Sequence, residues 1–381
     1  MHHRAVTTAS VRRLAGWLGP WASAPAIPTD VVCEEEVAPA RRPGGADVEV
    51  LVFRPRTRPI EGAVLLVPGL HYEGPRDPRL DRFARILAHA GYLVYAPRLP
   101  SYLRLLVVPS VLDEVESALD ALLAHPRRPR GRAPGMMSIS FGSMPALRLA
   151  ARRGGDLANV LIFGGFADFR RTLRFALRGE DGRDNDPLNA PAVAINLLPF
   201  LGARQLGVTE EGATEEGATE EEARALLHEA MLAYCRRTWG RPAMKRDRAY
   251  APVAREVAET LPAALRPFFL QACRVEPGIE PILEDALSRA GAHFDWIDPR
   301  PSFGTIRRPV TLVHGVTDDV IPFEESRVLR DALAPHTGVS LLLTGLYGHT
   351  HVDGVGHGPR ELAEELVSMV KILRAMASLS G

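Results

Sequence analysis

Short runs of consecutive apolar residues recur along the chain, and stretches with helical spacing separate them. Examples are GAVLLV at residues 62–67, YLVY at 92–95 and VTLV at 310–313. A run that is apolar at every position is typical of a strand buried on both faces, as in parallel sheets that helices cover on both sides. The alternation therefore predicts an α/β fold with a mostly parallel central sheet flanked by helices.

The alternation stops near Phe169 and resumes at VTLV, and the interval between these points has mainly helical patterning. This division predicts a core formed by residues 31–168 and 305–381. It also predicts a largely helical cap, formed by residues 169–304, that is inserted between two strands of the sheet. Residues 1–30 are predicted to be a lead-in with little regular structure.

An acidic repeat lies inside the predicted cap, where residues 209–223 read TEEGATEEGATEEEA. Low-complexity acidic composition is typical of a solvated loop. The last copy is predicted to lead into a helix from Glu221 to Arg236, because acidic residues suit the first turn of a helix.

The overall composition narrows the class of protein. Lys+Arg and Asp+Glu both number 46, so the formal net charge is zero and no basic surplus indicates a nucleic-acid partner. The three cysteines, Cys33, Cys235 and Cys273, form no CxxC pair. A disulfide framework or a structural zinc site is therefore not expected, and a reduced cytoplasmic setting is the default.

The N-terminal region contains one amphipathic stretch, from Val11 to Trp21. A short helix there would lie either on the body of the protein or on a membrane surface. No run approaches the roughly 20 apolar residues that a membrane-spanning helix requires, so no integral membrane segment is expected.

The stretch GMMSISFGSMPAL, residues 135–147, ends an apolar run at Ser140 and continues with helical spacing. Ligands of parallel α/β sheets gather at the carboxyl ends of the strands. A sharp strand-to-helix turn there would expose the Ser140 hydroxyl. It would also bring the N–H of Phe141 and the positive helix terminus beside that hydroxyl, where an oxyanion needs donors. Ser140 is therefore a candidate nucleophile.

A serine nucleophile needs a general base, and the base needs an acid that orients it. Residues 310–326, VTLVHGVTDDVIPFEES, present Asp318 and Asp319 after a predicted strand. His349 follows the next predicted strand, VSLLL. We expect these groups to meet Ser140, because the carboxyl ends of parallel strands share one edge of the sheet.

Four stretches resemble the alpha/beta-hydrolase family: VLLVPGL (64–70), SISFG (138–142), HGVTDDVIP (314–322) and LLLTGLYGH (341–349). The serine motif departs from the family's G-x-S-x-G pattern, because Ser138 replaces the first glycine. The resemblance implies an alpha/beta-hydrolase fold with a helical cap.

The same resemblance implies a Ser-Asp-His triad. The pattern H-G-x-x-D-x-x-[VI]-P favours Asp318 over Asp319 as the acid, and the ending favours His349 as the base. His351 is the alternative base, and His357 is a further rival. These histidines have no recognised metal-ligand spacing, so no metal is expected.

For the oxyanion, the resemblance implies the N–H of Leu70 together with that of Phe141. The implied activity is hydrolysis of an ester, most simply a carboxylic ester, through an acyl-enzyme and without a cofactor. The expected partner is a small-molecule ester, and the apolar stretches AVAINLLPFL and LRPFFL indicate either a hydrophobic substrate group or the cap's own core.

Other functions remain open at this point. Amide, thioester or lactone cleavage and acyl transfer use the same triad, and a membrane-surface lipase would use the N-terminal helix as well. A catalytically silent binding protein of the same fold is a different class. Ser138, and Pro68 where the family usually has histidine, favour that class.

Overall fold

The computed structural model describes residues 8–18, 26–180, 183, 185–207, 218–345 and 359–380. This part of the chain forms one eight-stranded sheet. Its strands are β1 Val31–Ala38, β2 Val48–Pro55, β3 Gly62–Val67, β4 Tyr92–Arg98, β5 Gly135–Ile139, β6 Val160–Phe163, β7 Val310–Gly315 and β8 Val339–Thr344.

The strands are ordered β1-β2-β4-β3-β5-β6-β7-β8 across the sheet. β2 pairs antiparallel with β1 and with β4, and every neighbouring pair from β4 to β8 is parallel. The prediction of a mostly parallel sheet is confirmed. Because β3, β5, β6, β7 and β8 run in one direction, their carboxyl ends lie along a single edge.

Helices separate the strands along the chain. They are α1 Thr8–Leu18, α2 Pro78–His89, α3 Pro100–Leu103, α4 Ser110–Ala124, α5 Ser143–Arg153, α6 Phe169–Arg178, α7 Ala190–Leu197, α8 Glu220–Thr238, α9 Tyr250–Ala258, α10 Arg266–Ala272, α11 Ile279–Arg289, α12 Glu324–Leu333 and α13 Pro359–Ala377. No described helix is both long enough and apolar enough to cross a membrane.

Both faces of the sheet are covered, which explains the continuous apolar runs. In β3, Leu65 and Val67 belong to a core shared with α4 and α5. Val64 and Leu66 point the other way, into a core shared with α1, α2 and α13. All four side chains have no exposed surface. Burial of alternate residues on opposite faces is what makes such a strand apolar throughout.

Two elements at the start of the chain differ from the prediction, because β1 was not foreseen and the lead-in, predicted to have little regular structure, contains the helix α1. β1, VVCEEEVA, is an edge strand whose middle is only partly buried, so its sequence carries no apolar run. The N-terminal helix α1 lies on the body of the protein, where it contacts α2 and α13 and buries Leu14 completely.

The chain between β6 and β7 contains helices α6 to α11, and we call residues 169–305 the helical segment. Residues 209–217 of the acidic repeat lie outside the described residues. Helix α8 begins at Glu220, close to the predicted start. Thr219 caps it by accepting a hydrogen bond from the N–H of Glu222, whose side chain in turn accepts one from the N–H of Thr219.

Candidate active site

Ser140 stands at the end of β5, where the backbone turns sharply into α5. Its φ is +54°, in the left-handed region that costs a residue with a side chain roughly 1–2 kcal/mol. Gly142 makes the turn possible, because a Cβ on it would lie 2.5 Å from the carbonyl oxygen of Pro68. The serine is therefore held at the carboxyl edge of the sheet in a strained conformation.

The turn is fixed from behind by a buried tyrosine. Tyr102 is almost completely buried, and its hydroxyl donates a hydrogen bond of 3.0 Å to the carbonyl oxygen of Phe141. Within the described residues, the N–H groups of Phe141 and Leu70 make no backbone hydrogen bond of the kind that joins turns and loops. Both residues line a cavity together with Ser140.

Ser138 occupies the position where the related motif has its first glycine. It lies in β5 between Val67 of β3 and Ile162 of β6, and it is fully buried. Its hydroxyl has no hydrogen-bond partner in the described part of the chain. A side chain enclosed in this way is not a candidate nucleophile.

Asp318 follows β7 at the same edge of the sheet as Ser140. Its Oδ1 accepts hydrogen bonds of 2.8 Å from the N–H groups of Val320 and Ile321. Asp318 is 6% exposed, and it borders a cavity of about 320 Å³ that Ser140 also borders. His314 is completely buried, with Nδ1 2.6 Å from the Ser326 hydroxyl and Nε2 3.0 Å from the Ile321 carbonyl and 3.4 Å from Oδ2 of Asp318.

Asp319 turns away from Asp318 and contacts the helical segment. Its Oδ2 lies 2.9 Å from Nζ of Lys245, and the same ammonium lies 2.8 Å from Oδ2 of Asp186. The N–H of Asp186 also donates a hydrogen bond of 3.0 Å to the Asp319 carbonyl. The loop that carries Asp318 is therefore attached to the helical segment at its neighbouring residue.

The predicted base and its alternatives, His349, His351 and His357, lie in residues 346–358, outside the described residues. The two ends of that interval are described. At the end of β8, Thr344 and the N–H of Gly345 donate hydrogen bonds to the carboxylate of Glu365 in α13. The assignment of the base remains a prediction.

A cavity of about 270 Å³ lies between the sheet edge and the helical segment. Its walls combine the turn at Ser140 with faces of α6 and α7 and with the chain after α8. The lining residues are Leu70, His71, Arg79, Ser140, Phe141, Phe169, Leu173, Ala176, Asp186, Leu188, Asn189, Ala192, Val193, Asn196, Trp239, Gly240, Arg241, Pro242, Lys245 and Val320. Most of these side chains are apolar.

Several polar groups of the cavity wall are already bonded within the protein. The Asn196 side chain accepts from the N–H of Val107 and donates to the carbonyls of Leu105 and Ala192. The indole N–H of Trp239 donates to the carbonyl of Leu188. The faces of α6 and α7 therefore present mainly hydrocarbon to the cavity, whereas Asp186, Asn189, Arg241 and Lys245 of the helical segment add polar groups to its wall.

His71 follows Leu70 and lines the same cavity. Burial lowers its pKa to about 4, so the imidazole is neutral at neutral pH. Its Nδ1 accepts a hydrogen bond from the N–H of Glu73, which leaves the proton on Nε2. His71, Glu73 and Asp77 bring potential metal ligands within 4.8 Å of one another. The guanidinium of Arg79 donates a hydrogen bond to each oxygen of the Asp77 carboxylate, so Asp77 forms an ion pair with Arg79.

The sequence reasoning missed Lys245 and Asp186 as site residues. A compositional signal pointed to the lysine: of the 46 basic residues only two, Lys245 and Lys371, are lysines. Lysine and arginine are not interchangeable where a compact ammonium is needed, so the two lysines were positions to inspect. Nothing in the spacing indicated that it would reach the loop after β7.

The strand order and strand directions, with helices on both faces of the sheet, are those of the alpha/beta-hydrolase fold. The protein has this fold, as the motifs implied. The turn at Ser140, the loop after β7 and the end of β8 occupy the carboxyl edge of the sheet.

No family model matches the chain, and no curated protein matches its sequence. Several solved structures are similar in fold. Acylaminoacyl peptidase from Pyrococcus horikoshii is 10% identical with a TM-score of 0.45, and the match covers 91% of this chain and 40% of the peptidase. Est1E from Butyrivibrio proteoclasticus is 12% identical with a TM-score of 0.44, and the match covers 90% of this chain and 98% of Est1E.

Dienelactone hydrolase from Anabaena variabilis is 12% identical with a TM-score of 0.42, and the match covers 90% of this chain and 98% of that enzyme. The chain thus spans about 40% of the length of the peptidase and nearly all of the length of the two smaller proteins.

Proposed function

We propose that the protein is a serine hydrolase that cleaves a carboxylic ester with Ser140 as nucleophile. The observation that supports this most is the positive φ of Ser140 beside a cavity. A strained backbone persists only where its surroundings impose it, and such residues cluster at active sites. In this chain the close approach of Gly142 to Pro68 and the hydrogen bond from Tyr102 to the Phe141 carbonyl surround the turn.

In the proposed reaction, the Ser140 Oγ attacks the carbonyl carbon of the ester and His349 takes its proton. The N–H groups of Leu70 and Phe141 bind the oxyanion, and Asp318 orients the imidazole and stabilises its charged form. The alcohol leaves with the proton from His349, and an acyl group remains on Ser140. Water then attacks this acyl-enzyme with His349 again as base, and the acid product leaves.

The apolar wall formed by α6 and α7 supports an ester with a hydrophobic group as substrate. Phe169, Leu173 and Ala176 lie on one face of α6, at positions i, i+4 and i+7, and Ala192 and Val193 of α7 complete the wall. In this proposal the helical segment acts as the cap over the site. An amide or peptide bond would use the same catalytic groups, so a substrate panel has to include both.

A silent binding protein is the second candidate. The feature that favours it is Ser138, a buried serine without a hydrogen-bond partner in the described chain, at the position of the motif's first glycine. Such a protein would bind a ligand in the same cavity but would not react at Ser140.

Fluorophosphonate labelling with peptide mapping separates the two candidates. We expect one label, on Ser140, and none on Ser140→Ala. Ser138→Ala is the matched control. It removes a hydroxyl two residues before Ser140, and that hydroxyl makes no hydrogen bond within the described structure. Folded protein that takes no label at Ser140 would contradict the hydrolase proposal and support the binding protein.

The acid and the base are tested in pairs. Asp318→Asn is expected to lower kcat by about 10⁴, the size of effect seen when a triad acid is replaced by its amide. Asp319→Asn is expected to lower it much less. His349→Ala should abolish turnover and His351→Ala should not. The reverse result in either pair would reassign that role to the neighbouring residue.

A further inference from the structure

Lys245 links three parts of the molecule at the wall of the cavity. It belongs to the stretch Pro242–Arg248, which follows α8, and its ammonium lies between Asp186 of the helical segment and Asp319 of the loop after β7. The side chains of Lys245, Asp186 and Asp319 are 23%, 6% and 26% exposed. The cluster is therefore largely shielded from solvent, where screening of charges is weak.

The attachment of Asp319 is double. Lys245 holds its carboxylate, and the N–H of Asp186 holds its carbonyl oxygen. Two contacts through different atoms fix both the position and the orientation of this residue. Because Asp318 is the preceding residue, its backbone is fixed from the helical segment as well.

The two neighbouring carboxylates are held in different ways. The N–H groups of Val320 and Ile321 donate hydrogen bonds to Oδ1 of Asp318, whereas Oδ2 of Asp319 forms an ion pair with Lys245. A chain with adjacent aspartates at this position has two carboxylates that could turn toward the site. Lys245 attracts Asp319 to the helical segment and so leaves Asp318 at the cavity that Ser140 borders.

The ammonium of Lys245 stays charged in this environment. Burial lowers its pKa, but the hydrogen bonds and charges of Asp186 and Asp319 outweigh burial, and the pKa lies above its ordinary value. A protonated lysine is not a general base, so its contribution is electrostatic. The cluster also forms part of the wall of the 270 Å³ cavity. That wall includes Lys245 and Asp186, together with Val320, which follows Asp319.

We infer that Lys245 is a positioning residue for the reaction: by holding Asp319 and Asp186 together, it attaches the loop of the triad acid to the helical segment. This inference rests on the proposed function, since it assigns Lys245 a role through Asp318. The helical segment then contributes to the geometry of the acid as well as to the walls of the cavity.

The experiment compares the rate of fluorophosphonate labelling at Ser140 with the thermal stability of each variant. Lys245→Met removes the charge and keeps the length of the side chain. The triple variant Asp186→Asn, Lys245→Met, Asp319→Asn removes all three charges, which leaves no buried carboxylate without its cation. Lys371→Met, at the exposed second lysine of the chain, is the matched control.

We expect Lys245→Met to lower the labelling rate about tenfold or more, since small misplacements of catalytic groups have effects of this size, and to lower the Tm. The triple variant should recover most of the Tm, because neutral replacement of a buried ion cluster is often tolerated. Its labelling rate should stay low, because the attachment of Asp319 is still absent. Lys371→Met should label at the wild-type rate.

Two results would overturn the inference. One is a Lys245→Met protein that labels as fast as the wild type. The other is a triple variant that recovers the labelling rate together with the Tm, which would mean that the cluster only stabilises the fold. A wild-type protein that takes no label at Ser140 would instead overturn the proposed function, and the inference with it.

Discussion

The backbone around Ser140 depends on single side chains that do not react. Tyr102 is the clearest case, because its hydroxyl holds the carbonyl of Phe141, and the N–H of Phe141 is a proposed oxyanion donor. Burial raises the pKa of Tyr102 well above its ordinary value, so the hydroxyl remains protonated and continues to donate.

Tyr102→Phe removes this hydrogen bond and keeps the packed ring. We expect the free energy of unfolding to fall by about 1 kcal/mol, the usual contribution of one hydrogen bond. The labelling rate of Ser140 should fall about tenfold, because the oxyanion donor loses its fixed orientation. Tyr72→Phe is the control, since the Tyr72 hydroxyl makes only a longer contact of 3.4 Å with the Arg236 carbonyl. Equal labelling rates in wild type and Tyr102→Phe would contradict this role.

His71 makes the stability of the protein depend on pH. Its folded pKa of about 4 lies below the ordinary value of 6.5, so between these values the unfolded chain binds a proton that the folded chain does not. Stability is therefore complete above pH 6.5 and falls as the pH drops toward 4, by roughly 3 kcal/mol for this group.

Denaturant unfolding of the wild type and of His71→Phe across pH 4 to 7 tests this prediction. The variant cannot take up a proton at this position, so its stability should fall less steeply below pH 6.5 than that of the wild type. Parallel pH profiles for the two proteins would show that the His71 pKa is not lowered in the folded state.

Among the elements, α1 has a single fully buried anchor in the core, and its loss can be measured. Leu14 packs in the core that α1 shares with α2 and α13. Leu14→Ala is expected to lower the free energy of unfolding by about 3 kcal/mol, as other buried leucines do. Arg12→Ala, at an exposed position of the same helix, should change it by less than about 0.5 kcal/mol.

A Leu14→Ala protein with unchanged stability would mean that α1 does not pack on the body in solution. That outcome would favour the membrane-surface interpretation of the same amphipathic stretch. Liposome binding by full-length protein, compared with protein that lacks residues 1–28, then becomes the relevant measurement.

The elements that sequence patterning predicts best are those buried on both sides. β3, β5, β6 and β7 appear as apolar runs because each side chain meets a helix or a neighbouring strand. β1 escapes prediction, because it lies at an edge and carries Glu34, Glu35 and Glu36. β1 pairs with β2 through backbone hydrogen bonds, and these do not require a particular pattern of apolar side chains.

At the scale of the whole molecule, some contacts of the candidate site can be predicted from the sequence and others cannot. Ser140 and Asp318 follow predicted strands, so topology alone brings them to one edge. Lys245 and Asp319 are 74 residues apart and meet because of how the helical segment lies over that edge. A contact of this kind depends on tertiary packing, and neither periodicity nor spacing encodes it.

The left-handed conformation of Ser140 has a consequence for the whole molecule. Glycine adopts a φ of +54° without steric cost, whereas a residue with a Cβ adopts it only at a cost in free energy. Ser140→Gly and Ser140→Ala both lack the hydroxyl, and calorimetry should find the glycine variant more stable by about 1 kcal/mol. Equal melting temperatures would mean that the surroundings relieve the strain.

If the difference is found, heat resistance and reactivity make opposite demands on one position. A library of variants at residue 140 that is selected only for thermal stability would then become enriched in glycine. The selected proteins would no longer react with the fluorophosphonate. The serine would be retained only in a selection that also requires chemistry.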